Sequence, residues 1–331
     1  MKIKRGEYYC VDVYEESHNI YNHRKKHIGE LKFTGLDLID AIISAGMPDV
    51  YLTKSIKKNR EEEIFFKIKL FETYVVSSLK KGNMYLSFDT SRKDYLDSTE
   101  IGAINYWIGM VLITLLGKKK YDYDFMVHLS MIELFSSKIN IKKRTYFSTN
   151  GKITFKSPDL LAINRVKNTY GVFEAKGYSN YSSQAMEHGY EQAKSIKRIN
   201  GKSPKNSLVV MTQTGTKEIR MIEKDPEGEG CEININVAFL HLYHYLPIVE
   251  LIMELSHEER GNWLYGSLTY GDDRYSVGIL LSLYEELVPI VQSMHETKTS
   301  CNELICKILS KETGLINLIL DNSNEKIFDI E

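Results

Sequence analysis

Two carboxylates and an ammonium group crowd into the stretch Ser157 to Gly177, SPDLLAINRVKNTYGVFEAKG. Apolar, β-branched and aromatic residues at 160–163 (LLAI) and 170–175 (YGVFEA) flank the polar segment NRVKNT, a pattern that predicts two strands joined as a hairpin. Side chains alternate faces along a strand, so Val172, Glu174 and Lys176 share one face, and Phe173 and Ala175 point to the other. With the turn at 164–169, Asp159 falls at the far end of the first strand, beside Glu174 and Lys176 on the second. Two crowded carboxylates repel each other and are stabilised by a hard divalent cation, and Mg²⁺ typically takes one or two of them while keeping several waters. A neighbouring lysine supplies a point charge that can orient a nucleophile or stabilise developing negative charge. Such chemistry suits phosphodiester hydrolysis; the plain alternative is a surface hairpin with incidental charges.

The order Pro158-Asp159, fourteen intervening residues, then Glu174-Ala175-Lys176 resembles the PD-(D/E)xK nuclease superfamily. The proline before the aspartate, the apolar strand after it, the VFEAKG strand and a helix-then-strand continuation agree with that resemblance. It implies an α/β fold with a restriction-endonuclease-like αβββαβ core and a mixed sheet. It also implies metal held by Asp159, Glu174 and the Ala175 carbonyl, with Lys176 positioning the attacking water. The implied cofactor is Mg²⁺, with Mn²⁺ able to substitute. The implied activity is hydrolysis leaving a 5′-phosphate, by a DNA endonuclease of the restriction or anti-phage defence type, with DNA favoured over RNA. Members of the superfamily often draw a further acid from the helix before the first core strand. Glu133 fills that role if 123–138 is helical, and Glu100 if 123–130 is a strand. Gln192 or Tyr190 would face the metal from the following helix, the plain alternative being a surface position.

The elements that must hold these residues can be read on either side. An apolar helix over 101–117 comes first, then a hairpin of KKRTYFS and KITFKSPDLLAI turning at Thr149-Asn150-Gly151. Beyond the site, QAMEHGYEQAKSIKRI reads as one helix capped by Ser182 or Ser183 and stopping at Asn200-Gly201. On it, Lys194, Lys197 and Arg198 could track a phosphate backbone. SLVVMTQT (207–214) then reads as a buried strand parallel to the Glu174 strand, reached through that helical crossover. Residues 218–236 read as a hairpin turning at Pro226-Glu227-Gly228. Around this 96–236 core, residues 1–95 read as an α+β region, with a strand at 8–14 and helices at 37–46 and 62–80. Residues 237–331 read as a helical region, with helices at 238–256, 275–295 and 300–310 and Pro289 kinking or ending its helix.

Composition bounds the alternatives. The chain has 331 residues, 43% hydrophobic and 26% charged, enough for a substantial core and unlike a disordered chain. Four cysteines without a CxxC pair, and no signal peptide at MKIKRGEYYC, predict a cytoplasmic protein with reduced thiols. The 101–117 run is interrupted by Asn105 and reads as a buried helix, not a membrane span. Net charge is −1, but residues 118–205 hold 17 Lys or Arg against seven Asp or Glu, a local +10 that leaves −11 elsewhere. Such a basic segment around the site fits nucleic acid bound through its phosphates, a solvated surface being the plain alternative. The spacings His23/His27 and His241/His244 read as solvent-facing or structural. No GxxxxGK[ST] loop is present, which argues against an ATPase or helicase engine. A homodimer or a partner subunit is compatible with the acidic C-terminal region. The alternative to an enzyme is a nucleic-acid-binding or scaffold subunit with a silent or partner-gated nuclease site.

Overall fold

In the computed structural model, Tyr8–Glu16 (β1) buries Tyr9, Val11 and Val13 on one face while Cys10, Asp12, Tyr14 and Glu16 line the other. The structure describes residues 1–4, 6–17, 24–45, 60–80, 82–129, 144–147, 153–164, 166–226, 230–235, 245, 248–270, 273–296 and 328–330. β1 is followed by Lys25–Thr34 (β2), the helices Gly35–Ser44 (α1) and Arg60–Tyr74 (α2), and the strands Val75–Lys80 (β3) and Asn83–Phe88 (β4). The span expected to be helical over 62–80 therefore splits. Val75 and Val76 open a strand, and Gly82, at φ 79°, turns it into β4 instead of ending a helix.

After the short helix Thr90–Lys93 (α3), Ser98–Lys119 (α4) takes the apolar run. Asp97 and Glu100 close a capping box at its start, and Lys118 and Lys119 sit in its last turn, opposite the sign of the dipole there. α4 is long and apolar enough to cross a membrane by length and composition, but 67% of its most apolar window is buried inside the protein. Next come Phe125–His128 (β5), Arg144–Phe147 (β6), Ile153–Lys156 (β7), Leu160–Asn164 (β8) and Thr169–Tyr178 (β9). β6 and β7 form the expected hairpin but stand as a separate two-stranded sheet, so KITFKSPDLLAI is two strands with Ser157-Pro158-Asp159 between them.

The predicted helix over 184–199 is also two elements, Ser183–Ala193 (α5) and the strand Ile196–Ile199 (β10). Asn206–Gln213 (β11) then runs parallel to β9, as the crossover requires, and Arg220–Lys224 (β12) returns antiparallel to β11. Cys231–Ile233 (β13) does not pair with β12; it pairs with β10 in another sheet, so 218–236 is not a hairpin.

The main sheet is mixed, in the order β3-β4-β1-β12-β11-β9-β8-β5, with β2 along the other edge of β1. The parallel joint between β1 and β12 places strands from 1–95 in the same sheet as the site. α4 packs on one face of β9 and β11, and α5 packs on the other. The C-terminal region is not wholly helical. Residues 248–254 (α6) are helical, but His257–Arg260 (β14), Trp263–Tyr270 (β15), Asp273–Leu280 (β16) and Phe328–Ile330 (β17) form an antiparallel sheet. Leu281–Glu296 (α7) follows and runs through Pro289 without ending there. Among the 237–331 positions singled out from sequence, His241, His244 and the span 300–310 lie outside the described residues, as do His23 and Glu133 earlier in the chain.

Candidate active site

β9 is gripped from both sides at the residues that carry the chemistry. On the α4 face Gly177 meets the helix backbone: a Cβ there would lie 1.9 Å from the Asn105 carbonyl oxygen. On the α5 face Gly189 does the same work, since a Cβ on it would lie 2.4 Å from Val209 Cγ2 and 3.1 Å from Lys176 Cε. Helix α5 therefore lies directly over the row that carries Glu174 and Lys176. Asn105 ties the end of β9 to that of β11, donating to Ser179 Oγ (3.1 Å) and accepting from Thr214 Oγ1 (2.6 Å).

The β8–β9 register pairs Leu160 with Phe173, which sets Asp159 opposite Glu174 one step beyond the paired segment. Asp159 Oδ2 accepts the Ala175 N–H at 2.8 Å, and Oδ1 accepts the Tyr106 hydroxyl at 3.3 Å from α4. The N–H and C=O of one residue leave a strand on the same side, so the Ala175 carbonyl faces the same edge as the Asp159 carboxylate. Glu174 is only 1% exposed. Its Oε1 accepts from Lys176 Nζ, and its Oε2 is buried with no hydrogen-bond partner. Burial, then the Asp159 charge, hold the Glu174 carboxyl well above its usual range, against the opposing pull of Lys176. Lys176 Nζ also donates to Gln192 Oε1 (2.9 Å), while Gln192 Nε2 donates to the Ser157 carbonyl (3.0 Å). The same two carboxylates push the Tyr106 hydroxyl upward in pKa, after burial as the main cause.

Of the predicted residues, Asp159, Glu174, Ala175, Lys176 and Gln192 come together. Glu100 does not: its carboxylate is exposed and accepts the Asp97 N–H at the start of α4. With β5 a strand, the helix before the core is α4, and Tyr106 is the α4 side chain that touches Asp159. Tyr190 packs instead against the small apolar cluster of Met186, Val209, Met211 and Ile222, with Lys224 Nζ 4.8 Å from its ring. Lys194 is engaged with Glu191 (3.5 Å) at the end of α5. Lys197 and Arg198 are exposed on β10, a strand of the second sheet, and not on the helix over the site. Sequence reasoning missed Tyr106, whose signal is the polar Asn105-Tyr106 pair breaking the apolar run of α4, and missed the Ser157 carbonyl, which carries no side-chain signal.

A divalent cation fits the donor set. A carboxylate just before β8 and one on β9, the latter with a buried oxygen lacking any partner, and a strand carbonyl at the same edge match the oxygen-rich, partly hydrated coordination that Mg²⁺ takes. Among the described residues no three His, Cys, Asp or Glu side chains converge, so side chains alone would supply two ligands. No family model matches the chain, and no curated protein or solved structure matches it either.

Proposed function

We propose that this chain is a divalent-metal-dependent phosphodiester hydrolase acting on nucleic acid, with DNA favoured over RNA, built on a restriction-endonuclease-like core. The observation that carries it is the register that sets Asp159 opposite a buried Glu174 whose Oε2 has no partner, with Lys176 one step along the same face. Mg²⁺, or Mn²⁺ in its place, would be held by Asp159, Glu174 and the Ala175 carbonyl and would supply Lewis acidity to the reacting phosphoryl group. The Ala175 N–H and the Tyr106 hydroxyl fix the Asp159 carboxylate for that task. The Lys176 side chain orients a water and offsets charge developing on phosphate oxygens. Gln192 keeps the ammonium in place by bonding Lys176 on one side and the Ser157 backbone on the other.

Purified wild type, Asp159→Asn and Lys176→Ala are to be incubated with supercoiled plasmid, linear DNA and RNA in Mg²⁺, Mn²⁺ or EDTA. The expected result is metal-dependent cutting by wild type alone; equal cutting by Asp159→Asn would sink the assignment. One observation favours a second reading, a nucleic-acid-binding subunit whose site is partner-gated. The Lys176 ammonium rests on the carboxylate that a metal would need. Metal-dependent cutting by the isolated chain removes that reading.

A further inference from the structure

Strand pairing carries the site face beyond Lys176. Tyr178 on β9 is opposite Gln213 on β11, and Gln213 is opposite Arg220 on β12. Directly paired residues share a sheet face, so these three side chains form a row one step along from Lys176, Met211 and Ile222. Tyr178 is 41% exposed. Arg220 stacks on Tyr14, 5.6 Å from the ring centroid, and its guanidinium has no hydrogen-bond or ion-pair partner among the described residues. Asp12, opposite it on β1, is engaged with His27 at 3.2 Å, and Glu218, two residues before it in the chain, with Lys80 at 3.1 Å. From Lys176 to Arg220 is two strands across and two residues along, roughly 12 Å between Cα atoms.

We propose that Tyr178 and Arg220, which flank the buried Gln213 in this row, form a subsite for a nucleotide flanking the reacting phosphate, so that the substrate is a polynucleotide strand with at least one unpaired base. The proposal rests on the hydrolase reading for the position of the reacting phosphate. A planar guanidinium without a carboxylate partner is suited to a phosphate. An exposed tyrosine ring stacks an unstacked base whatever its identity. A base inside a duplex cannot reach such a ring, so single-stranded, frayed or flipped nucleotides are selected.

The test is fluorescence anisotropy in EDTA with a labelled single-stranded DNA oligonucleotide and the duplex of the same sequence, for wild type, Arg220→Ala, Arg220→Gln, Tyr178→Ala and Tyr178→Phe. Both residues are partly exposed, and a thermal melt of each variant verifies folding. Arg220→Ala and Arg220→Gln are expected to weaken single-strand binding by roughly fivefold or more and to lower the salt slope by about one. Tyr178→Ala is expected to weaken it by roughly fivefold or more, leaving duplex binding unchanged, and Tyr178→Phe restores it. The proposal is overturned by no measurable wild-type binding, by wild-type affinity in both alanine variants, or by equal loss on single strand and duplex. Arg220-dependent binding by a protein that never cuts would keep the subsite and remove the hydrolase; cutting without dependence of binding on either residue would do the reverse.

Discussion

Replacing Glu174 with Gln should stabilise the protein at neutral pH while removing its response to metal. In the folded state Glu174 is 1% exposed, one carboxylate oxygen is without a partner, and its pKa lies well above the ordinary 4.5. A carboxyl whose folded pKa is raised contributes fully below its unfolded value, and that contribution is lost as pH rises through the folded value. Each unit of elevation is worth about 1.4 kcal/mol. Wild-type stability should therefore fall as pH rises above 4.5 until Glu174 has ionised, and the Gln variant should lack that component of the slope. A bound metal would oppose the loss: a cation at about 100 times its Kd adds about 2.7 kcal/mol. At about 2 °C per kcal/mol for a chain of this size, that is roughly a 5 °C rise in Tm. Thermal melts of both proteins from pH 5 to 8, with and without Mg²⁺, read all three effects. Parallel pH curves, or an equal metal shift in the variant, would refute the assignment of a buried, metal-seeking carboxylate to Glu174.

Gly177→Ala drives a methyl group into the α4 backbone, which cannot rotate away, and should destabilise by about 3 kcal/mol in urea melts. Gln192→Leu keeps the shape but drops the bonds to Lys176 and Ser157; cleavage should fall about 10- to 100-fold, the scale expected when a supporting residue around a metal site is lost, with secondary structure by circular dichroism unchanged. Lys224→Met removes the buried ammonium that pairs with Glu16 at 3.7 Å and Glu187 at 3.0 Å and should cost about 3–5 kcal/mol in the same unfolding assay.

The part of the site that lay on one hairpin was legible from spacing, because side-chain alternation and one polar turn suffice to set Asp159 beside Glu174 and Lys176. The crossover through α5 to a parallel β11 was legible too, although β10 stands between the helix and that strand in the chain. What failed was local ambiguity at element ends. The run KSIKR carries the charges of a helix C-terminus, yet Ile196 and Ile199 are wholly buried in a strand paired with β13. Val75 and Val76 continued a helical pattern by hydrophobicity, and their β-branching was the signal that outweighed it. The C-terminal hairpin had a readable cue, Gly271-Asp272 between two strand-length runs, masked by the helical pattern that follows in α7. Nothing local announces the pairing of β1 with β12 across more than two hundred residues, or the reach of Tyr106 to Asp159 from another element.

That long-range pairing bears on the site itself. Reading across the sheet in one row, Asp159 and Glu174 are followed by Val209 and Lys224, and Lys224 reaches Glu16 of β1 at 3.7 Å and Glu187 of α5 at 3.0 Å. α5 is thus fixed at one place by Glu187, which pairs with the buried Lys224 of β12 that also reaches Glu16 of β1, and at another by Gly189 against Val209 and Lys176. Gln192 is on this same helix, so the position of the Lys176 ammonium depends on a packing unit that includes residues from 1–95. Those strands extend the sheet and also brace the helix over the acids. A buried carboxylate with an unsatisfied oxygen is costly, and it persists only where the surroundings leave it no alternative position. Here α5 lies close over Glu174, since a Cβ at Gly189 would come within 3.4 Å of Glu174 Cγ, which limits the room in which the carboxylate could turn. The rigidity that keeps this carboxylate buried would also hold its oxygens ready for a cation, so stability and metal affinity should change together in every variant that loosens α5.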